Sequence, residues 1–358
     1  MKKVDLKLSK DKIIKHKFSI AIVSIVILSL IITLMMTWRK FDPDTAVINF
    51  TDKKLEKSIK KELNIIGRDI YIEDTEKVSK LNLSECEITD LTGIENFKEL
   101  EQLNLDKNKI QDLEPLSKLP KLRILEFNGN KIYDITPLGK IETLMNLSLS
   151  SNYITDISAL SSLNNLVELN LVKNNISDIT PLSNLQNLQR LNLTLNRITS
   201  VDALTSLKNL RYLDITSNYI NDVTSINKII SLEELKMNND GITQLPDLSP
   251  LKNLEVLQLS TNKLTNLDFV KNNTKLRELN ISYNDINNID EIANLENIEI
   301  LNLRLTLVKD ISVCSNMEKL NEIYLDKDVN REPIKHLVNN FSQADDETKL
   351  YLLEERYK

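Results

Sequence analysis

Leu166 to Asn187 reads LVELNLVKNNISDITPLSNLQN, and the next stretch, Leu188 to Asn209, reads LQRLNLTLNRITSVDALTSLKN. Overlaid, the two keep apolar residues at positions one, four, six, eleven, fourteen, seventeen and twenty and an Asn at position nine. The pattern LxxLxLxxNxIxDIxPLxxLxx extends in both directions. It restarts every 22 residues at Val78, Leu100, Leu122, Leu144, Leu166, Leu188, Leu210, Leu232, Leu254, Leu276, Ile298 and Leu320. Self-similarity of this length marks a solenoid, in which each unit buries its apolar face only against its neighbours.

Positions four and six are apolar in all twelve repeats, from Leu81 and Leu83 to Ile323 and Leu325. That period of two predicts one short strand per repeat with one face inward, and hence a parallel sheet. Position nine is Asn in eight repeats, with Cys86, Asp240, Thr306 and Asp328 as departures. A buried amide there both donates and accepts, and so satisfies backbone groups where the chain leaves the strand. Position thirteen is Asp, Asn or Ser in ten of eleven repeats, with Gln244 the exception. Followed by prolines such as Pro115, Pro137 and Pro181, it is expected to N-cap a short helical or 3-10 turn on the opposite side. Cys86 then substitutes in the ladder and Cys314, at position seventeen, belongs to the core. Ten strand steps of about 4.8 Å separate them, too far for a disulfide.

The ends of the array need covers. Leu55, Ile59 and Leu63 form one apolar stripe, predicting a helix capped by Thr51 or Asp52. Ile334, Leu337, Val338 and Phe341, after Pro333, predict a second. Before the first lies Phe18 to Trp38, FSIAIVSIVILSLIITLMMTW, without a charge. Its length as a helix, about 30 Å, matches a bilayer core. The run exceeds a signal-peptide core and is followed by TWRKFDPD rather than a small-residue cleavage site, so a retained anchor is expected over a cleaved signal. Seven Lys precede it, and only Arg39 and Lys40 follow closely, placing the N-terminus in the cytoplasm.

The expected organisation is therefore a basic tail over residues 1–17, a transmembrane signal anchor over 18–38, a linker over 39–49, a helical cap over 50–77, repeats over 78–329 and a helical cap over 330–358.

Composition narrows the function. Residues 41 to 358 carry 37 Lys plus Arg against 50 Asp plus Glu, a net of −13, which repels a phosphate backbone and argues against nucleic acid. Five Gly in the whole chain leave no material for a phosphate-cradling loop. No HExxH, GxSxG or P-loop pattern occurs, so neither catalysis, a cofactor, a metal nor a small-molecule substrate is expected.

The units NKIYDITPLGKI (Asn130 to Ile141) and NNISDITPLSNL (Asn174 to Leu185) resemble bacterial internalin-type leucine-rich repeats, and VINFTDKKLEKSIKKEL resembles the helical cap before such arrays. The resemblance covers residues 47 to 329. It implies an α/β solenoid, the leucine-rich-repeat horseshoe, with a parallel sheet on its concave face and short helical or 3-10 turns on its convex face. It also implies a protein partner bound through variable concave residues. An LPxTG-like sorting signal and an immunoglobulin-like segment after the repeats, both features of the family, are not seen. About ten linker residues reach at most about 35 Å from the membrane. A partner in the same bacterial cell envelope is therefore expected at the cell surface. The alternatives are a host-directed internalin-like adhesin or virulence factor, and an intracellular phosphatase regulator built on a similar repeat, which the anchor opposes.

The outward positions are the second, third, fifth, seventh and eighth. They are mostly small and polar except in two patches, Val172, Arg190, Leu195 and Tyr212 in the middle and Tyr283, Ile300, Arg304, Leu305 and Tyr324 near the C-terminus. Tyr and Arg most often dominate interface energy, so these are the candidate partner-binding residues.

Overall fold

In a computed structural model, the structure describes residues 27–31, 33, 46–220 and 222–340. Each repeat contributes one three-residue strand: β1 Lys80–Asn82, β2 Gln102–Asn104, β3 Ile124–Glu126, β4 Asn146–Ser148, β5 Glu168–Asn170, β6 Arg190–Asn192, β7 Tyr212–Asp214, β8 Glu234–Lys236, β9 Val256–Gln258, β10 Glu278–Asn280, β11 Ile300–Asn302 and β12 Glu322–Tyr324. They form one parallel twelve-stranded sheet in sequence order. Residues 22 apart face each other throughout, as in Leu169↔Leu191 and Leu191↔Leu213.

The core lies between this sheet and a row of 3-10 turns. In the repeat starting at Leu166, the apolar residues Leu166, Leu169, Leu171, Ile176, Ile179, Leu182 and Leu185 are all buried. Withdrawing each from water contributes roughly 1.5–3 kcal/mol. Nearly all of that depends on the flanking repeats, since three-residue strands enclose nothing by themselves.

The asparagine ladder joins consecutive turns. Asn152 Nδ2 donates to the carbonyls of Phe127 and Leu149, both at 3.0 Å, while its Oδ1 accepts from the Ile132 N–H at 3.2 Å. One amide thus serves two repeats. Position thirteen works differently from the expected N-cap. Asp178 Oδ1 accepts from the Thr180 N–H at 2.8 Å, whereas the helix N-cap is Ile179, without a side-chain cap. The carboxylate closes an Asx turn one residue earlier, because a 3-10 turn beginning at Thr180 leaves that N–H nearest.

At the N-terminal end, helix α1 (Lys53–Glu62) buries Leu55 and Ile59. Its N-cap is Asp52, which accepts from the Lys54 N–H at 2.7 Å and, through its other oxygen, from the Thr89 N–H at 2.7 Å. The cap begins before residue 50. Val47 bridges Tyr71 in antiparallel fashion and Ile48 is buried, so the segment read as linker already pairs from Ala46 onward. Phe50 packs so tightly against Gly93 (φ +107°) that a Cβ there would lie 2.5 Å from its ring. At the other end Glu332–Asn340 forms a 3-10 helix rather than an α-helix, with Ile334 buried and His336 Nε2 lying 3.0 Å from the Ser315 carbonyl oxygen.

The expected tail, most of the expected transmembrane segment and residues 341–358, including Phe341, lie outside the described residues. Within the segment, 27–31 and 33 are helical and exposed. Among the described residues no helix is long and apolar enough to cross a membrane. Cys86 and Cys314 are both free, and burial pushes the Cys314 thiol up to about 12.

Candidate functional site

Positions three and five of each repeat stand on the open face of the sheet, because four and six point inward. The register sets Arg190 beside Tyr212, and Asp214 beside Lys236. The Arg190 guanidinium lies 4.2 Å from the centre of the Tyr212 ring, and Lys236 Nζ approaches it to 5.5 Å. Contacts of this kind contribute about 0.5–2 kcal/mol each. The Tyr212 hydroxyl donates to Asp214 Oδ2 at 3.4 Å, and burial followed by the Asp214 charge raises its pKa. Burial works against the charged Lys236, but the Glu234 carboxylate, 2.9 Å away, together with Tyr212 and the Asp214 charge, outweighs it and holds the ammonium above its ordinary value.

Arg190 and Tyr212 also line a groove of about 300 Å³ running across β3 to β7 with Glu126, Asn146, Ser148, Glu168, Asn170 and Asn192. Val172 and Leu195 are not on its wall. Leu195 is half exposed and sits past the strand, in the turn at the sheet rim, with φ +58°. Position eight is left-handed in eleven repeats, Glu85 through Leu305. Gly129 and Asn239 adopt that conformation cheaply, whereas Leu195, Tyr283 and Leu305 hold bulky side chains there at a cost of about 1 kcal/mol or more. The structure therefore brings together only Arg190 and Tyr212 of the middle four. It adds Lys236, Glu126 and Glu168, which a search for residues that are not small and polar passes over unless the charged members of columns three and five are compared across repeats.

In the C-terminal patch, Ile300 on β11 faces Glu322 on β12, and Tyr324 donates from its hydroxyl to Glu322 Oε2 at 2.6 Å. That hydrogen bond, with burial, pushes the Tyr324 hydroxyl up to about 12. Arg304 carries a buried Nε without a hydrogen-bond partner, and Leu305 is exposed, its N–H donating to Asp326. A further aromatic feature lies off the sheet face, where Tyr133 and Tyr153 stack with centroids 5.0 Å apart. Among the described residues no group of three or more His, Cys, Asp or Glu is placed to hold a metal ion.

The chain shares 30% identity with an internalin, InlF, of Listeria monocytogenes, over 83% of this chain and 96% of that one, with a TM-score of 0.71. It belongs to the internalin-type leucine-rich-repeat family. The family models agree: the two-copy leucine-rich-repeat model matches residues 76–118, 98–140, 142–184 and 186–228, and a single leucine-rich repeat matches 272–289. A leucine-rich-repeat protein of Leptospira interrogans is 25% identical over 71% of this chain and 74% of its own, with a TM-score of 0.66. The plant peptide hormone receptor RGFR1, solved in complex with RGF2, shares the fold at 20% identity, covering 71% of this chain and 48% of that one, with a TM-score of 0.55. No curated protein sequence matches the chain. An internalin-type array with an open sheet face is a protein-interaction module.

Proposed function

We propose that this internalin-type protein is a membrane-anchored, extracytoplasmic module that binds a protein partner in its own cell envelope through the sheet face. The observation that carries the reading is the Arg190–Tyr212–Lys236 cluster. It offers an aromatic ring between two cations at the end of a groove whose wall also carries Ile124, Asn146, Ser148, Asn170, Asn192 and the carboxylates of Glu126 and Glu168. Tyr and Arg in a common recess have the composition of an interface hot spot. The plant peptide hormone receptor of the same fold, solved in complex with RGF2, supports a polypeptide ligand.

The uncharged run over residues 18–38 and the seven Lys before it support an anchor with the array outside. Pairing that starts at Ala46 leaves residues 40–45 as spacer, at most about 20 Å of extended chain, so the array is held close to its own membrane.

Crosslinking on intact cells that make the protein tests both parts. The Tyr212→Ala, Arg190→Ala double variant should capture the partner at least thirtyfold less well with unchanged melting, and equal capture removes the site. An impermeant antibody to the array should label these cells once the wall is stripped, and the protein should stay with membranes in high salt. Release by salt overturns the anchor.

A further inference from the structure

We infer that the groove over β3 to β7 takes an extended peptide segment carrying one basic and one acidic side chain about four residues apart. This rests on the sheet face being the binding surface.

Opposite charges one repeat apart meet at several points on this protein. Lys107 meets Glu85 at 2.6 Å and Arg277 meets Glu299 at 2.8 Å, each across one strand step. Glu168 and Arg190 are register partners in the same arrangement. Among the described residues they form no ion pair with each other or with any other group. The Glu168 carboxylate turns toward β4, where it accepts from Asn146 Nδ2 at 3.0 Å. The Arg190 guanidinium turns the other way, over the Tyr212 ring on β7. Glu126 likewise leans away, accepting from Asn104 Nδ2 on β2. Lys236 is already engaged by Glu234, so Arg190 is the cation left to meet an incoming acid.

The groove therefore presents an acidic half, Glu126 and Glu168, and a cationic end, Arg190 on Tyr212, both exposed and both unneutralised. A ligand of single sign would satisfy one half and be repelled by the other. A ligand with both signs satisfies the two together. With strands about 4.8 Å apart and the charged groups leaning apart from β5 and β6, their separation is roughly 10–15 Å. An extended segment advances about 3.3 Å per residue, and residues i and i+4 share a face. Four residues span about 13 Å, which matches. Asn146, Asn170 and Asn192 between the two ends supply amide groups suited to a passing main chain.

The test titrates the full-length chain in detergent with three fluorescent peptide libraries. One fixes Lys and Glu four residues apart, one fixes two Lys and one fixes two Glu, with uncharged residues randomised elsewhere. The mixed library should bind at least tenfold more tightly than either other, and Arg190→Glu should make the two-Lys library the best ligand. Equal binding of all three, or preference of the unchanged chain for two Lys, overturns charge-paired recognition. Failure of every library overturns the extended segment. Loss of crosslinked partner in the Tyr212→Ala, Arg190→Ala form would in that case still uphold the sheet face, whereas unchanged capture would remove both.

Discussion

Asn218 and Asp240 hold the same ladder position in successive repeats, one at a regular seam and one at an irregular one. Asn218 Nδ2 donates to the carbonyls of Leu193 at 3.0 Å and Ile215 at 2.7 Å, and its Oδ1 accepts from the Ile198 N–H at 3.0 Å. Asp240 reproduces only the acceptor half: Oδ1 takes the Asn218 N–H at 2.6 Å, while Oδ2 is buried without a partner. An Asn at this position in other repeats carries an NH₂ that donates to carbonyls, a role the Asp240 carboxylate lacks. Burial accordingly pushes the Asp240 carboxyl up to about 7, with the Asp214 charge adding to it. Around the same seam a cavity of about 600 Å³ opens between Tyr219, Ile220, Asp222, Val223 and Thr224 on one side and residues 240–246 on the other, and the described residues of repeats eight and nine contain no 3-10 helix. The difference of one side-chain atom, oxygen for nitrogen, separates a seam that is satisfied at every pH from one that needs a proton.

Breaking a regular seam should produce the largest effect. Asn152→Ala strips the Ile132 N–H and the Phe127 carbonyl of their partner inside the core, while the Leu149 carbonyl keeps Asn174, and at roughly 1–3 kcal/mol for each of the two buried groups left unpaired the loss should reach about 4 kcal/mol. Urea unfolding measures it, and a loss below about 1 kcal/mol would show that the ladder contributes little.

Repairing the irregular seam should produce a smaller effect of opposite sign. Asp240→Asn supplies the missing donor. Because the folded pKa of Asp240 is raised above its unfolded value, its contribution to stability is present below about pH 4 and is lost as pH rises to about 7. The variant should therefore gain roughly 3 kcal/mol at pH 8 and little at pH 4. The lowered carboxylates of Asp134, Asp156 and Asp178, held down chiefly by hydroxyl hydrogen bonds, have the opposite sign: their contribution is present above about pH 4 and lost below it. Unfolding midpoints across pH should place maximum stability in the mildly acidic range for the unchanged chain and move it upward in Asp240→Asn. An unchanged profile would mean that Asp240 finds a donor in solution.

The smallest effect concerns the same contrast at position eight. Leu195→Asn puts a residue that tolerates the left-handed conformation where Leu is strained, and thermal unfolding should show a gain of about 1 kcal/mol. A loss would indicate that the exposed Leu195 packs more than it strains.

The fold was legible because a covalent repeat of 22 residues places equivalent atoms at equivalent points, and positions four, six and nine are dictated by burial. Leu169, Leu191 and Asn196 stand where their spacing puts them. The candidate site was legible only as a set of columns. Arg190 and Tyr212 meet, but Leu195 belongs to the rim, since the left-handed turn at position eight leaves no signature in a residue type as ordinary as Leu.

The sequence by itself determined the period, the strand register, the inward face and the capping helix, all of which follow from side-chain polarity at fixed spacing. Tertiary structure alone decided where charged ends go. Glu168 turns to Asn146 and Arg190 to Tyr212, although the two charges are register partners, because a long side chain's end is placed by neighbours 22 residues away in the chain and one strand away in space. For the same reason the Asp240 carboxyl is pushed up to about 7: a carboxyl's proton affinity is set by the solvent and donors around it, which the seam decides and the residue name does not.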